Sequence, residues 1–104
     1  MESKITVYER SLELLKSIVK DVFKNESVRV ILFGSRARED YLQTSGIDVG
    51  ILPGNDINKS KIALLRERIA NSSIPYDVYV VDLSQASKEF TDRVLEEGLL
   101  LWRS

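Results

Sequence analysis

The chain of 104 residues contains no cysteine and no histidine. Without cysteine there is no disulfide, thiol nucleophile, iron–sulfur cluster or cysteine-based zinc site. Without histidine there is no Ser-His-Asp triad, no imidazole metal ligand and no imidazole acid–base catalyst. Chemistry here must rest on carboxylates, Lys, Arg, hydroxyls and backbone amides, together with a hard cation such as Mg²⁺. No run approaches the ~20 apolar residues of a membrane span. The first ten residues, MESKITVYER, lack the apolar core of a signal peptide. A cytoplasmic protein, away from the membrane, is the expectation. Neither sign of charge is in excess: 15 Lys and Arg face 16 Asp and Glu, a formal net charge of -1. That balance gives no global attraction to nucleic acid or anionic lipid, and it leaves a local basic patch open.

What is present suits one globular domain over residues 1–104. A chain this size buries roughly 65% of its unfolded surface on folding, enough for a single core. The 43% hydrophobic content argues against disorder. Residues 7–24 carry an amphipathic helical pattern, with Leu12, Leu15, Val19, Val22 and Phe23 on a stripe that Leu14 and Ile18 widen. Val28 to Phe33 is short, apolar and β-branched, as in a strand buried on both faces. Ile47 to Leu52 alternates: Ile47, Val49 and Ile51 share one face, and Asp48, Gly50 and Leu52 the other. Residues 58–70 form a second helical stripe, Ile62, Leu65 and Ile69, with Asn58 as its N-cap. A third strand is expected over roughly Tyr76 to Leu83. A last helix follows, capped by Ser84 or Ser87, with Phe90 and Val94 inward and Gly98 as the C′ glycine. The apolar tail Leu99 to Trp102 is either a segment covering the core or an exposed patch. This αβαβαβα order predicts the α/β (α+β) class, a small mixed sheet covered by helices.

Two features carry chemistry. In Phe33-Gly34-Ser35-Arg36-Ala37-Arg38 a buried strand runs straight into Gly-Ser and a helix start. Glycine allows close backbone approach and unusual dihedrals. The Ser35 hydroxyl and the free amides of a helix start can hold an anion, and Arg36 and Arg38 add forked cationic donors suited to phosphate. The same residues also suit a plain strand-to-helix turn with solvated arginines. The second feature is Asp48, ionisable in an otherwise apolar strand. It must face solvent, pair with Arg36 or Arg38, or hold a metal.

Gly34-Ser35-Arg36-Ala37-Arg38 followed by Ser45-Gly46-Ile47-Asp48-Val49 resembles the minimal nucleotidyltransferases, members of the DNA polymerase beta-like nucleotidyltransferase superfamily. Their pattern is Gly-Ser-x-Ala-Arg-Gly, a loop, then Ser-Asp-x-Asp. The stretch Pro75 to Leu83 resembles the family's third strand, and Phe90 to Gly98 with the apolar tail its closing helix. The resemblance covers most of the chain. It implies a polymerase-palm-like fold. It also implies transfer of a nucleoside monophosphate from a Mg²⁺-bound NTP, usually ATP, to an acceptor, with two metals held by three carboxylates. Gly34 and Ser35 would grip the triphosphate, Arg36 and Arg38 would touch phosphate or face a partner, and Asp48 would be the catalytic, metal-binding second Asp of the pair. The resemblance implies a HEPN-type helical protein as partner, as in toxin–antitoxin pairs. The antitoxin there acts by adding AMP to the partner or by binding it. Association of the chain with itself is left open.

The sequence departs from this pattern at three places. Gly46 stands for the first Asp of the pair, Tyr79 for the third carboxylate, and Glu39 for the glycine after Ala-Arg. Two of three expected metal ligands are thereby lost. Asp77, on the face of Tyr79 but two residues earlier, is the remaining candidate ligand, and Glu39 or Asp40 could reach in from the loop. Tyr79 is expected to pack with its hydroxyl wet or to stack on a base. The expectation is a nucleotidyltransferase that moves AMP from Mg-ATP to an acceptor such as a partner protein, its activity reduced by the lost carboxylates, with a catalytically impaired binding module that sequesters a HEPN-type partner as the alternative.

Overall fold

In the computed structural model, which describes residues 6–34, 46–54 and 57–104, four strands form one sheet in the order β3-β2-β1-β4. Helix α1 (Val7–Val22) precedes β1 (Val28–Phe33). After β2 (Ile47–Pro53) come α2 (Ser60–Ala70) and β3 (Val78–Asp82). A short 3₁₀ turn (Leu83–Gln85), α3 (Lys88–Glu97) and β4 (Leu99–Arg103) follow. β1 pairs antiparallel with β2 and β4. β2 and β3 run parallel, and α2 is the crossover that parallel neighbours require. The mixed sheet covered by helices is the architecture the sequence predicts.

The alternation in β2 sorts the two faces. Ile47, Val49 and Ile51 are fully buried and join Val28, Val30 and Leu32 of β1 against α1 and α2. From α1 come Leu15, Ile18, Val19 and Val22, with Phe23 just beyond the helix; α2 supplies Ile62, Leu65 and Ile69. The opposite face carries a smaller cluster, Ile31, Leu83 and Val94, beneath α3. Arg68 of α2 pairs with Asp21 of α1 across the helix surface. That hydrogen bond, and then the guanidinium charge, holds the exposed Asp21 carboxyl below its usual range.

Helix ends follow capping chemistry. Thr6 Oγ1 accepts a hydrogen bond from the Glu9 amide at 3.0 Å and starts α1. Asn58 Oδ1 accepts from the Ser60 amide at 3.0 Å, so it caps α2 while the helix itself begins two residues later. Of the two serines proposed for the last helix, Ser87 is the cap: its Oγ accepts from the Phe90 amide at 3.1 Å. Ser84 instead bonds to Asp82 Oδ1, which starts the 3₁₀ turn. Ser87→Ala is expected to cost about 1 kcal/mol. A thermal melt followed by circular dichroism should show a midpoint lower by roughly 5 °C.

Three expectations are corrected. The third strand is shorter than Tyr76 to Leu83, because Leu83 turns into the 3₁₀ segment and is buried under α3. Helix α1 stops at Val22, with Phe23 as its cap. Gly98 does not take the left-handed conformation of a C′ glycine; it is extended, at φ -79 and ψ 165. Its need for glycine is steric. A Cβ there would overlap Ile31 Cγ2 and lie 2.5 Å from the Val94 carbonyl oxygen. The apolar tail fulfils both of its readings. It forms the edge strand β4, burying Leu101, while Leu99 and Leu100 remain exposed. The register shifts between Val30 and Ile31, which pair with Trp102 and Leu100, so Leu101 is bulged out of the ladder and into the core.

Candidate functional site

The sheet brings together two of the predicted site residues. Phe33, the last residue of β1, pairs with Asp48 of β2. Gly34 follows at φ +76, in the left-handed region that glycine enters without steric cost. The turn folds directly onto the Asp48 carboxylate. A Cβ at position 34 would overlap Asp48 Oδ2 and lie 3.2 Å from Cγ. Glycine is therefore required twice here, for its dihedral and for its missing side chain. Ser35, Arg36, Arg38, Glu39 and Asp40 lie outside the described residues.

Asp48 is half-buried. Its same-face neighbours along β2 are Gly46 and Gly50, and each glycine is covered by a residue from the β3 side. Leu83 sits on Gly50: a Cβ there would come within 2.9 Å of Leu83 Cδ1. Tyr79 sits on Gly46: a Cβ there would come within 2.6 Å of Tyr79 Cε2 and 3.2 Å of Cδ2. Tyr79 is itself the cross-strand partner of Asp48 in the parallel ladder. Phe33 meets Phe90 of α3 edge-on, with ring centroids 5.7 Å apart. Asp48 thus stands between an apolar floor under α3 and a tyrosine ring. Within β1, β2 and β3 it is the one carboxylate on this face among the described residues; Asp77, of the same face, lies just before β3.

Asp77 stands just before β3, and its carbonyl accepts a hydrogen bond from the Ile47 amide at 2.8 Å. With Arg66, Tyr76 and Tyr79 it lines a cavity of ≈ 630 Å³ along the outer edge of β3. Arg66 closes part of that edge by donating to the Val80 carbonyl at 2.9 Å. The sequence points to Gly34, Asp48, Gly46 and Tyr79 one by one. It gives no sign that the Tyr79 ring and Gly46 touch, because that contact depends on the β2–β3 register. Nor does it mark Leu83 over Gly50.

A parallel β2–α2–β3 unit with a glycine turn closing on a strand carboxylate agrees with the nucleotidyltransferase palm that the sequence resembles. The sequence matches the family described as Polymerase beta, Nucleotidyltransferase over residues 15–104, and the chain belongs to that family. A crystal structure of a protein described as a nucleotidyltransferase, from Sulfolobus solfataricus, is 31% identical with a TM-score of 0.56. That match covers 99% of this chain and 92% of the other. A protein described as a minimal nucleotidyltransferase superposes with a TM-score of 0.71 at 19% identity, covering 94% and 98% of the two chains. A complex of tri-AMPylated HEPN toxin with MNT antitoxin from Shewanella oneidensis matches with a TM-score of 0.59 at 23% identity, over 89% and 73%. At these last two identities the likeness is one of fold. No curated protein matches the sequence closely enough to add to this. No helix among the described residues is long and apolar enough to cross a membrane.

Members of this family typically use a divalent metal ion. The described residues do not fit a pair of such ions. Among them no three His, Cys, Asp or Glu side chains gather where they could hold a metal. Position 46 has no side chain, and position 79 presents a neutral ring. One carboxylate offsets a single charge of the four that two divalent cations carry, and hard cations want six or more oxygen ligands.

Proposed function

We propose that this chain is an antitoxin-type minimal nucleotidyltransferase that works by binding a HEPN-type helical partner, with AMP transfer from ATP feeble or absent. One observation carries the reading: the Tyr79 ring lies on Gly46, leaving Asp48 as the one carboxylate on the site face within β1, β2 and β3, with Asp77 on that face only at the end of the chain leading into β3. Activating an acceptor oxygen for attack on a phosphoryl group needs strong local charge stabilisation. A neutral ring and a glycine supply none.

The phosphate-binding half of the site is kept. Gly34 allows the turn at the end of β1 to approach a ligand through its backbone, and Ser35, Arg36 and Arg38 are the residues that would hold the triphosphate of ATP or another NTP. Any Mg²⁺ would be held weakly, by Asp48 and water, with Asp77 the remaining candidate ligand. Support for the partner comes from fold likeness to the Shewanella oneidensis antitoxin, which is bound to a HEPN toxin.

The test pairs this chain with a candidate HEPN-type partner protein. The two should co-elute on size exclusion with or without ATP, and Asp48→Asn should leave the complex intact. Incubation with Mg²⁺ and α-labelled ATP should place little or no label on the partner. Stoichiometric labelling that Asp48→Asn abolishes would reject this reading, and so would failure of the two proteins to co-elute.

A further inference from the structure

We infer that Gly46 and Tyr79 are one interlocked replacement, in which the tyrosine ring closes the position from which a second carboxylate would reach a cation beside Asp48. The two residues look like separate losses in the sequence. In the sheet they are in contact.

Parallel pairing sets Tyr79 opposite Asp48 and Val78 opposite Ile47. The ring then leans back along β2 onto the bare Cα of Gly46. A carbon attached there would lie 2.6 Å from Cε2, well inside the ~3.5–4.0 Å of carbon–carbon contact. The Asp77 carbonyl oxygen, at 3.0 Å from the same point, narrows the space further. Glycine at 46 gives the ring a flat seat. As the ring lies, a side chain at 46 would require it to move. Tyr79 remains 55% exposed.

The consequence is a site whose cation capacity is set by the ring as well as by the missing acid. Restoring the acid alone should not restore a metal site. Gly46→Asp must either push the ring aside or turn its carboxylate away from Asp48. Removing the ring alone exposes backbone and adds no ligand. Only the combined change places an Asp-x-Asp pair on an open face.

Two measurements on the isolated chain test this, neither involving the partner or AMP transfer, so their failure is distinct from failure of the binding reading. The first is Mn²⁺ titration by calorimetry on the unsubstituted protein, Gly46→Asp, Tyr79→Ala and the double variant. Affinity should stay within about threefold for both single variants and tighten about tenfold or more for the double, a change of ~1.4 kcal/mol. Gly46→Asp combined with Tyr79→Phe should behave like Gly46→Asp alone, because the ring and not its hydroxyl blocks the position. The second is the thermal midpoint of Gly46→Ala with and without Tyr79→Ala. The midpoint should fall by on the order of 5 °C when the tyrosine is present and by clearly less when it is removed. A Gly46→Asp protein that binds Mn²⁺ as tightly as the double variant overturns the inference. So does a double variant with no gain in affinity, and so does an equal midpoint loss in both backgrounds.

Discussion

Replacing Gly34 with alanine is expected to lower stability by about 2 kcal/mol and to displace the Asp48 carboxylate from the turn at the end of β1. Two costs add here. The φ of +76 is a conformation that costs an L-residue roughly 1 kcal/mol or more. The new Cβ also overlaps Asp48 Oδ2. A second substitution separates them. Asp48 Cβ lies 3.4 Å from the would-be Cβ, an ordinary contact, so truncating the acid removes the overlap and leaves the dihedral cost. Denaturant melts of Gly34→Ala, Asp48→Ala and the double variant should therefore be non-additive, the double losing about 1 kcal/mol less than the sum of the singles. Calorimetry with Mg-ATP should show binding weakened at least tenfold in Gly34→Ala, since the backbone can no longer close on the carboxylate. Additive melts would mean that the turn and the strand do not press on each other.

Phe23→Ala should have the largest effect on stability, a loss of about 3–5 kcal/mol. The residue sits one position past α1, fully buried, within the large cluster shared by α1, α2 and the sheet. Deleting its ring opens a cavity that α1 cannot fill by shifting, because Val19 and Val22 already hold the helix against the strands. Against the ~5–15 kcal/mol total of a typical domain, the loss removes a large fraction of stability. The urea midpoint should fall sharply with the slope unchanged, and the melting temperature should drop by about 15 °C or more. Lys24→Ala, at the exposed neighbour, should stay within about 0.5 kcal/mol. A Phe23→Ala protein as stable as Lys24→Ala would show that the helix end is not part of the core.

The period of the apolar residues made much of the fold legible. β1 and the two faces of β2 follow from side-chain alternation, and the buried stripes of α1 and α2 from helical spacing. What escaped depends on contacts between distant segments. One local exception is Thr6, which the apolar period does not mark and which caps α1 by accepting from the Glu9 amide. Gly98 carries the composition of a helix stop, yet its reason is the closeness of Ile31, which no local pattern encodes. Within the site, Gly34 and Asp48 were readable as a spacing, and the sheet places them together. The seat of Tyr79 on Gly46 was not, because it requires knowing that β2 and β3 run parallel and which residues stand opposite. The alignment of family positions identified both departures without revealing that they touch.

Central strand β1 gains β2 as a neighbour early in synthesis, but its other edge waits for β4. Arg29 pairs with Arg103, and Val30 with Trp102. While the chain is still on the ribosome, the backbone of β1 therefore has one open side, and Leu101 is not yet there to cover the core beside it. Loop closure over such a separation is slow compared with local pairing. A nascent chain of this protein thus carries an unsealed sheet until β4 has emerged. A chaperone or a partner bound along that open edge would compete directly with the protein's own last strand.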